Sequence, residues 1–326
     1  MSKKGPYRIL VTGVGAIIGY GVIKSIRRTH PDAYIIGMDI YEDAVGQAWC
    51  NEFIQAKMAA DPEYIQFLKD VIHSKNCDLV FFGTEQEIYR VDGSREEMGE
   101  DLKKIVINKS DILKLSSDKW ITREYLLNNA LGEYAIPSVI EGDYEQIAQQ
   151  FGNEFLMKPR SSYASKGIHR VLSRVSFDFY KKRMGDGFMA QKLVGDVEHE
   201  YTVGVFGYGD GTCSNMITLK RKLSQEGATA KAWVVSIPSI DRAVERFCKA
   251  LKPIGPTNFQ FRMEGDQCYL LEINPRISSS TSIRAALGYN EAELSIQYYL
   301  EGKKVKPVIK TGRAMRYIDE VVIVDE

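Results

Sequence analysis

No run of 18 apolar residues occurs in the 326-residue chain, so it holds no candidate membrane-spanning helix. No apolar leader precedes the first apolar strand either, because Ser2-Lys3-Lys4-Gly5-Pro6 runs straight into it. Cysteine is scarce. Cys50, Cys77, Cys213, Cys248 and Cys268 are odd in number and widely spaced, which excludes a disulfide framework and a close-paired zinc or redox motif. They read as reduced, buried thiols. The four histidines, His30, His73, His169 and His199, form no pair at ligand spacing, which argues against a zinc enzyme and leaves oxygen ligands for any metal. Net charge is absent as well: 43 Lys plus Arg balance 43 Asp plus Glu, leaving no basic field for nucleic acid or an anionic membrane. No GxxxxGK[ST] occurs, which argues against a Walker-type phosphate loop. The chain reads as cytoplasmic, with neither nucleic acid nor membrane as partner. Homo-oligomerisation is left open.

What is present is an ordinary globular composition, 44% hydrophobic and 26% charged. At roughly 150 residues per domain the length predicts about two domains. Residues 7–12 form an apolar run ending in Gly13-Val14-Gly15-Ala16-Ile17-Ile18-Gly19, and Val22, Ile23 and Ile26 follow at helical spacing. A second strand, 34–38, ends at Asp39. Asp61 is read as an N-cap with Pro62 at N1, opening a helix that carries Ile65, Leu68, Val71 and Ile72. Further strands are expected at 79–82 and 105–107. These first 115 or so residues predict an open parallel α/β layer.

From Ser117 a capped helix is expected to run to about Gly132. Strands then dominate, at 154–158, 167–172, 188–194, 200–206, 212–219, 230–237, 257–263 and 268–273, with Gly207-Tyr208-Gly209-Asp210-Gly211 as a hairpin turn and a helix at 240–251. This half predicts an α+β arrangement.

Two constellations carry chemistry. Gly13, Gly15 and Gly19, with Asp39 after the next strand, have the look of a dinucleotide fingerprint. Their spacing is GxGxxxG, and the only Tyr-x-x-x-Lys pair, Tyr20 and Lys24, lies on the same helix. The glycines are therefore read first as packing residues, with a nicotinamide-dependent oxidoreductase as the alternative. The second constellation is a hairpin. Period-two alternation puts Asn258, Gln260 and Arg262 on one face, with Phe259, Phe261 and Met263 on the other. On the return strand Glu272 and Asn274 share a face, with Leu271 and Ile273 opposite. A turn centred on Asp266 sets Gln260 against Glu272. Two amide oxygens and a carboxylate are hard ligands suited to Mg²⁺, which needs few protein ligands. A solvent-facing polar strand would give the same pattern.

At these residues the chain resembles the ATP-grasp superfamily, and most closely the synthetase modules of the carbamoyl phosphate synthase large subunit. The resemblance rests on Gln260, on Leu270-Leu271-Glu272-Ile273-Asn274-Pro275-Arg276, on Ser278 to Ser280, and on Gly288-Tyr289. It implies an ATP-grasp fold, 117–308 with a lid at about 120–192, preceded by a Rossmann-like parallel α/β domain, 1–116, and followed by a C-terminal segment, 309–326. It also implies that Gln260, Glu272 and Asn274 hold magnesium and that Arg276 binds the transferred phosphoryl group. By the same resemblance Lys119 and Lys158 contact phosphates, Gln191-Lys192-Leu193-Val194 holds adenine through its main chain, and Glu200 accepts ribose hydroxyls.

There are two departures. The lid loop, residues 160–167, has one glycine, with serines or Lys166 as substitutes, and Ser279 stands where the carbamoyl phosphate modules carry arginine. The expected activity is therefore an ATP-dependent carboxylate–amine ligase working through an acyl phosphate, with a small-molecule carboxylate and amine as substrates. Lys220, Arg221 and Lys231 are candidate clamps for the acyl phosphate, and Arg284 for a substrate carboxylate. A nucleotide-binding protein with little turnover is a further alternative.

Overall fold

The structure, a computed structural model, describes residues 5–161, 167–224 and 227–322. The first layer is a parallel sheet of β1 (Arg8–Thr12), β2 (Tyr34–Asp39), β3 (Glu52–Gln55) and β4 (Leu79–Phe81), in the order β3-β2-β1-β4. β1, β2 and β4 are largely apolar runs because both faces are covered, while the edge strand β3 is only partly buried. Ile9 and Val11 pack on Val22, Ile23 and Ile26 of α1 (Ile17–Thr29), while Leu10 and Ile36 meet Ile65 and Leu68 of α2 (Tyr64–Ser74). Helices α3 (Glu85–Asp92) and α4 (Arg95–Met98) follow β4. Two local expectations are corrected. Helix α2 starts at Tyr64, because the Asp61 carboxylate accepts from the Glu63 N–H (2.8 Å) and forms a turn before the helix rather than its cap. The run 105–107 contributes only a bridge from Ile105 to Val80.

Helices α5 (Ser110–Ser117) and α6 (Lys119–Asn128) lead to the second sheet. Asp118 caps α6 by accepting from the Trp120 and Ile121 N–H groups, so Ser117 ends one helix instead of opening the next. The lid comprises β5 (Ser138–Val139), α7 (Tyr144–Phe151), β6 (Phe155–Pro159), β7 (His169–Val171), α8 (Arg174–Met184) and β8 (Phe188–Lys192). Its antiparallel sheet runs β5-β8-β6-β7, and α7 and α8 bury Ile147 and Phe177 against Phe155 and Met157.

The third sheet is antiparallel, in the order β13-β12-β9-β10-β11-β14. It is built from β9 (Glu200–Tyr208), β10 (Ile217–Leu223), β11 (Thr229–Val235), β12 (Ile254–Glu264), β13 (Gln267–Asn274) and β14 (Arg313–Met315). β10 starts later than expected because the turn after Tyr208, where Asp210 accepts from the Thr212 N–H, is followed by irregular backbone. One face packs Val203, Phe259 and Phe261 on Phe247 of α9 (Pro238–Leu251), whose ring stacks on those two phenylalanines at 5.4 and 6.0 Å. Helices α10 (Thr281–Ala286) and α11 (Glu291–Tyr299) cover part of the other face and also reach α1. Ile277, Ala292 and Ile296 lie in the core of the parallel layer. Among the described residues no helix is long and apolar enough to cross a membrane.

Candidate functional site

The uncovered part of the third sheet's polar face is built by register. Gln260 pairs with Glu272 and Asn258 with Asn274, as the alternation predicts. The route to that pairing differs, however. The turn holds two residues, Gly265 and Asp266, with Gly265 at φ +58°, and a bulge at Leu271 then restores the offset. The bulge corrects the predicted faces locally: Leu270, rather than Leu271, packs with Ile273 in the core.

On this face Glu200 is held between two guanidinium groups, Arg221 at 2.6 Å and Arg262 at 2.8 Å. Despite its burial, these cations hold the Glu200 carboxyl below its ordinary range. Arg221 also donates to Gln260 Oε1 (2.6 Å), and Asn274 Nδ2 donates to Glu272 Oε2 (3.3 Å). Among the described residues no group of three or more His, Cys, Asp and Glu could hold a metal. An ion here would rest on one carboxylate and neighbouring amide oxygens. That donor set fits Mg²⁺, which completes its shell with water and phosphate oxygens, and fits a softer metal poorly. A cation at Gln260 Oε1 has to displace Arg221, which keeps Glu200 as partner.

Opposite lies the root of the lid. Lys158 of β6 is buried and donates to Gln191 Oε1 (2.8 Å), while Gln191 Nε2 donates to Ser138 Oγ (2.9 Å). Burial pulls the Lys158 ammonium down to about 7, with the Lys119 cation adding to the shift. Burial also lowers Lys119, at the first turn of α6, against the opposing pull of Glu272, Asp118 and Glu85. Arg160 at the end of β6 fastens this corner by gripping the Asp118 carboxylate (2.7 Å), and its carbonyl accepts from the Lys119 N–H (3.0 Å). Lys119, Lys158, Gln191 and Glu272 thus line one narrow cleft between lid and sheet, about 20 Å³ in volume. Val194 is buried, and the Lys192 N–H is taken by the Pro137 carbonyl (2.9 Å). Lys166 and most of the lid loop lie outside the described residues.

Beyond Glu272 the cleft gives onto a larger cavity of about 550 Å³, where Gln260, Glu272, Asn274, Arg276 and Arg221 meet the N-terminal turns of α1 and α3. Arg276 is clamped by Glu85 (Nε to Oε1, 2.8 Å) and also donates to Asn274 Oδ1 (3.1 Å). Sequence reading passed over Glu85. Its position just past a parallel strand, where open α/β sheets gather ligands, was the available signal. The other expected clamps are corrected. Lys220 and Lys231 lie on the opposite face from Arg221, since Lys220 is its immediate neighbour and Lys231 pairs with Lys222, so neither faces the cavity. Arg284 is fully buried, neither in solvent nor on a substrate: it pairs with Glu291 (2.9 Å) and donates to Asn258 Oδ1 (2.5 Å) and Thr202 Oγ1 (3.1 Å).

Two glycines of the N-terminal turn are packed tightly against the protein's own atoms. A Cβ at Gly19 would meet the Gly13 carbonyl oxygen at 2.1 Å, and one at Gly13 would meet Thr84 Cγ2 at 2.8 Å. Asp39 spends its carboxylate on the Gly15 N–H (2.7 Å) and the Tyr41 N–H (3.1 Å). Close packing thus accounts for Gly13 and Gly19, and the acid serves its own turn.

Comparison with known proteins agrees with this geometry. Residues 194–321 match the family described as ATP-grasp in the biosynthetic pathway with Ter operon. The carbamoyl phosphate synthase large chain of Thermoanaerobacter pseudethanolicus is 24% identical over 248 residues, a match that takes in 70% of this chain and 22% of that protein. The chain thus spans about a fifth of that relative's length. In structure it superposes on N5-carboxyaminoimidazole synthetase from Staphylococcus aureus, solved with ADP, at TM-score 0.73 and 19% identity, covering 94% of this chain and 81% of the other. Biotin carboxylase from Campylobacter jejuni, solved as a β-γ-ATP complex, gives TM-score 0.72 at 16% identity, covering 94% and 74%. In fold along nearly its whole length, and in sequence over residues 194–321, the chain resembles the ATP-grasp superfamily.

Proposed function

We propose that the chain is an ATP- and Mg²⁺-dependent carboxylate–amine ligase, with 1–116 as a pre-ATP-grasp layer, 117–308 as the ATP-grasp region and 309–326 as a C-terminal segment. The observation that carries this reading is the register-built meeting of Gln260, Glu272, Asn274 and Arg276 in one cavity, with Lys119 and Lys158 across a cleft from Glu272. The crystallised neighbours with ADP or an ATP complex support it. Lys119 and Lys158 meet the nucleotide's phosphates as point charges, Glu200 takes the ribose hydroxyls, and residues 191–194 take adenine. Gln260, Glu272 and Asn274 would hold magnesium, which supplies charge neutralisation on the phosphates. Arg276, oriented by Glu85, meets the γ-phosphoryl group as negative charge shifts onto the departing ADP. A substrate carboxylate oxygen attacks the γ-phosphorus, ADP leaves, and an amine then displaces phosphate from the acyl carbon. Because the cleft at Lys158 is narrow, the lid has to swing away from the third sheet to admit the nucleotide.

The test is ADP release from MgATP with pooled carboxylic acids and amines. Glu272→Ala removes the only carboxylate of the proposed ligand set and is expected to abolish release while the far-UV spectrum and melting temperature persist. A folded Glu272→Ala protein with near wild-type release would end the metal assignment.

A further inference from the structure

A second chamber of about 620 Å³ opens at the glycine turn, on the far side of the α3 N-terminus from the site just described. The two cavities are continuous in their walls, for Ala16, Thr84 and Gln86 line both. They differ in chemistry. The catalytic side carries Arg221, Gln260, Glu272, Asn274 and Arg276, whereas the second chamber is walled by Ala44, Val45, Ala56, Met58 and Ala59. Met58 is 62% exposed and Tyr41 66%, an apolar surface left open at the rim. Its charged groups are mostly acidic. Asp39 is tied to two backbone N–H groups, Glu87 accepts from Thr12, Thr84 and Tyr64, and Asp43 lines the wall. Lys57 is the cation there, and it is paired with Glu63. Nothing in the proposed reaction uses this space.

We infer that the carboxylic acid substrate carries a bulky apolar body, which sits in this second chamber while its carboxylate lies beside Arg276 in the catalytic cavity. The inference rests on the ligase reading and adds the substrate's shape and polarity. A chamber of this size suits a ring system or branched chain, and its small polar share points to hydrophobic rather than hydrogen-bonded recognition. Orientation follows from the linings, because Asp39 and Asp43 line the apolar end while the guanidinium of Arg276, which Glu85 also holds, lies in the catalytic cavity. In the step itself a carboxylate oxygen bonds to the γ-phosphorus, the bond from that phosphorus to the β,γ-bridging oxygen breaks, and ADP leaves with the electron pair. Hydroxylamine as trap then attacks the acyl carbon, phosphate departs, and a hydroxamate forms with loss of a proton.

The probes are 3-phenylpropionate, indole-3-propionate and octanoate against acetate. Binding is read by calorimetry on the MgADP-saturated protein, and turnover as hydroxamate formed with MgATP and hydroxylamine. At least one apolar acid is expected to bind about tenfold or more tighter than acetate. Ala59→Phe, which fills the chamber, should remove that preference while the melting shift given by MgATP is kept. Met58→Asp, at an exposed wall position, should weaken the same acid and serves where Ala59→Phe does not fold. If MgATP binds but no apolar acid exceeds acetate, or both variants leave the preference intact, the inference is overturned and the ligase reading stands. If MgATP itself neither binds nor stabilises the protein, the ligase reading fails and takes the inference with it.

Discussion

Lys158 in the narrow cleft and Arg276 in the adjoining cavity should behave differently when removed. Lys158 is buried with its ammonium pulled down to about 7, well under the ordinary lysine value of about 10.4. Between those values the unfolded chain binds a proton that the folded chain does not. The stability linked to Lys158 therefore rises with pH through this window and is lost as pH falls toward 7. Phosphate binding runs the other way, because it needs the charged form. ATP affinity at saturating magnesium is expected to fall by up to about tenfold per pH unit above 7, and Lys158→Met should flatten that slope. At neutral pH, Lys158→Ala should weaken ATP by about tenfold to a hundredfold, the worth of one charge-assisted hydrogen bond. Arg276→Ala should instead lower the single-turnover rate with little change in ATP affinity. A flat pH profile for the wild type, or ATP binding lost in Arg276→Ala with its rate intact, would contradict these roles. The resemblance to ATP-grasp modules pointed to these two positions, and the structure sets them in a cleft and the cavity adjoining it. The true face of Lys220 and Lys231 was not legible in the sequence, because alternation says which residues share a face and leaves open which face meets a cavity. The burial of Arg284 was hidden for a similar reason: its partners Glu291, Asn258 and Thr202 come from three separate elements.

At the level of elements, the β12–β13 hairpin sets the site, and its register depends on a turn and a bulge that compensate each other. The Gln260–Glu272 pairing was readable from the sequence because any odd loop centred on Asp266 produces it. The two-residue turn and the extra residue at Leu271 were not, since bulges leave no periodic trace. Gly265 holds φ +58° with no atom within 4 Å of where a Cβ would sit, so replacing it strains backbone alone. Gly265→Ala is expected to cost about 1 kcal/mol, read from urea unfolding, with little effect on activity. A loss of activity at full stability would mean that the turn touches substrate. Helix starts were harder to place than strands. Asp61 and Asp118 are both aspartates ahead of a helix, yet of the two only Asp118 caps one.

Across the whole molecule, the parallel layer, the lid and the third sheet are joined around one set of cavities, with Ile277, Ala292 and Ile296 welding the far half of the chain to the first layer. Since close packing accounts for Gly13 and Gly19 and the Asp39 carboxylate is held by two backbone N–H groups, NAD and NADP should leave the melting temperature unmoved, whereas MgATP should raise it by mass action. A dinucleotide shift as large as that of MgATP would restore the oxidoreductase alternative. The broad layout was legible because strand runs and glycine turns are local signals. The meeting of Arg276 with Glu85 was not, being a contact across 191 residues of sequence. The central claim is that a carboxylate attacks ATP at its γ-phosphorus. It is tested most directly by supplying ¹⁸O-labelled carboxylic acids with amines and MgATP, then weighing the inorganic phosphate released. One carboxylate ¹⁸O in each phosphate, with ADP as the other product, is the result predicted. Phosphate free of label beside ADP, or release of AMP and pyrophosphate, would contradict it.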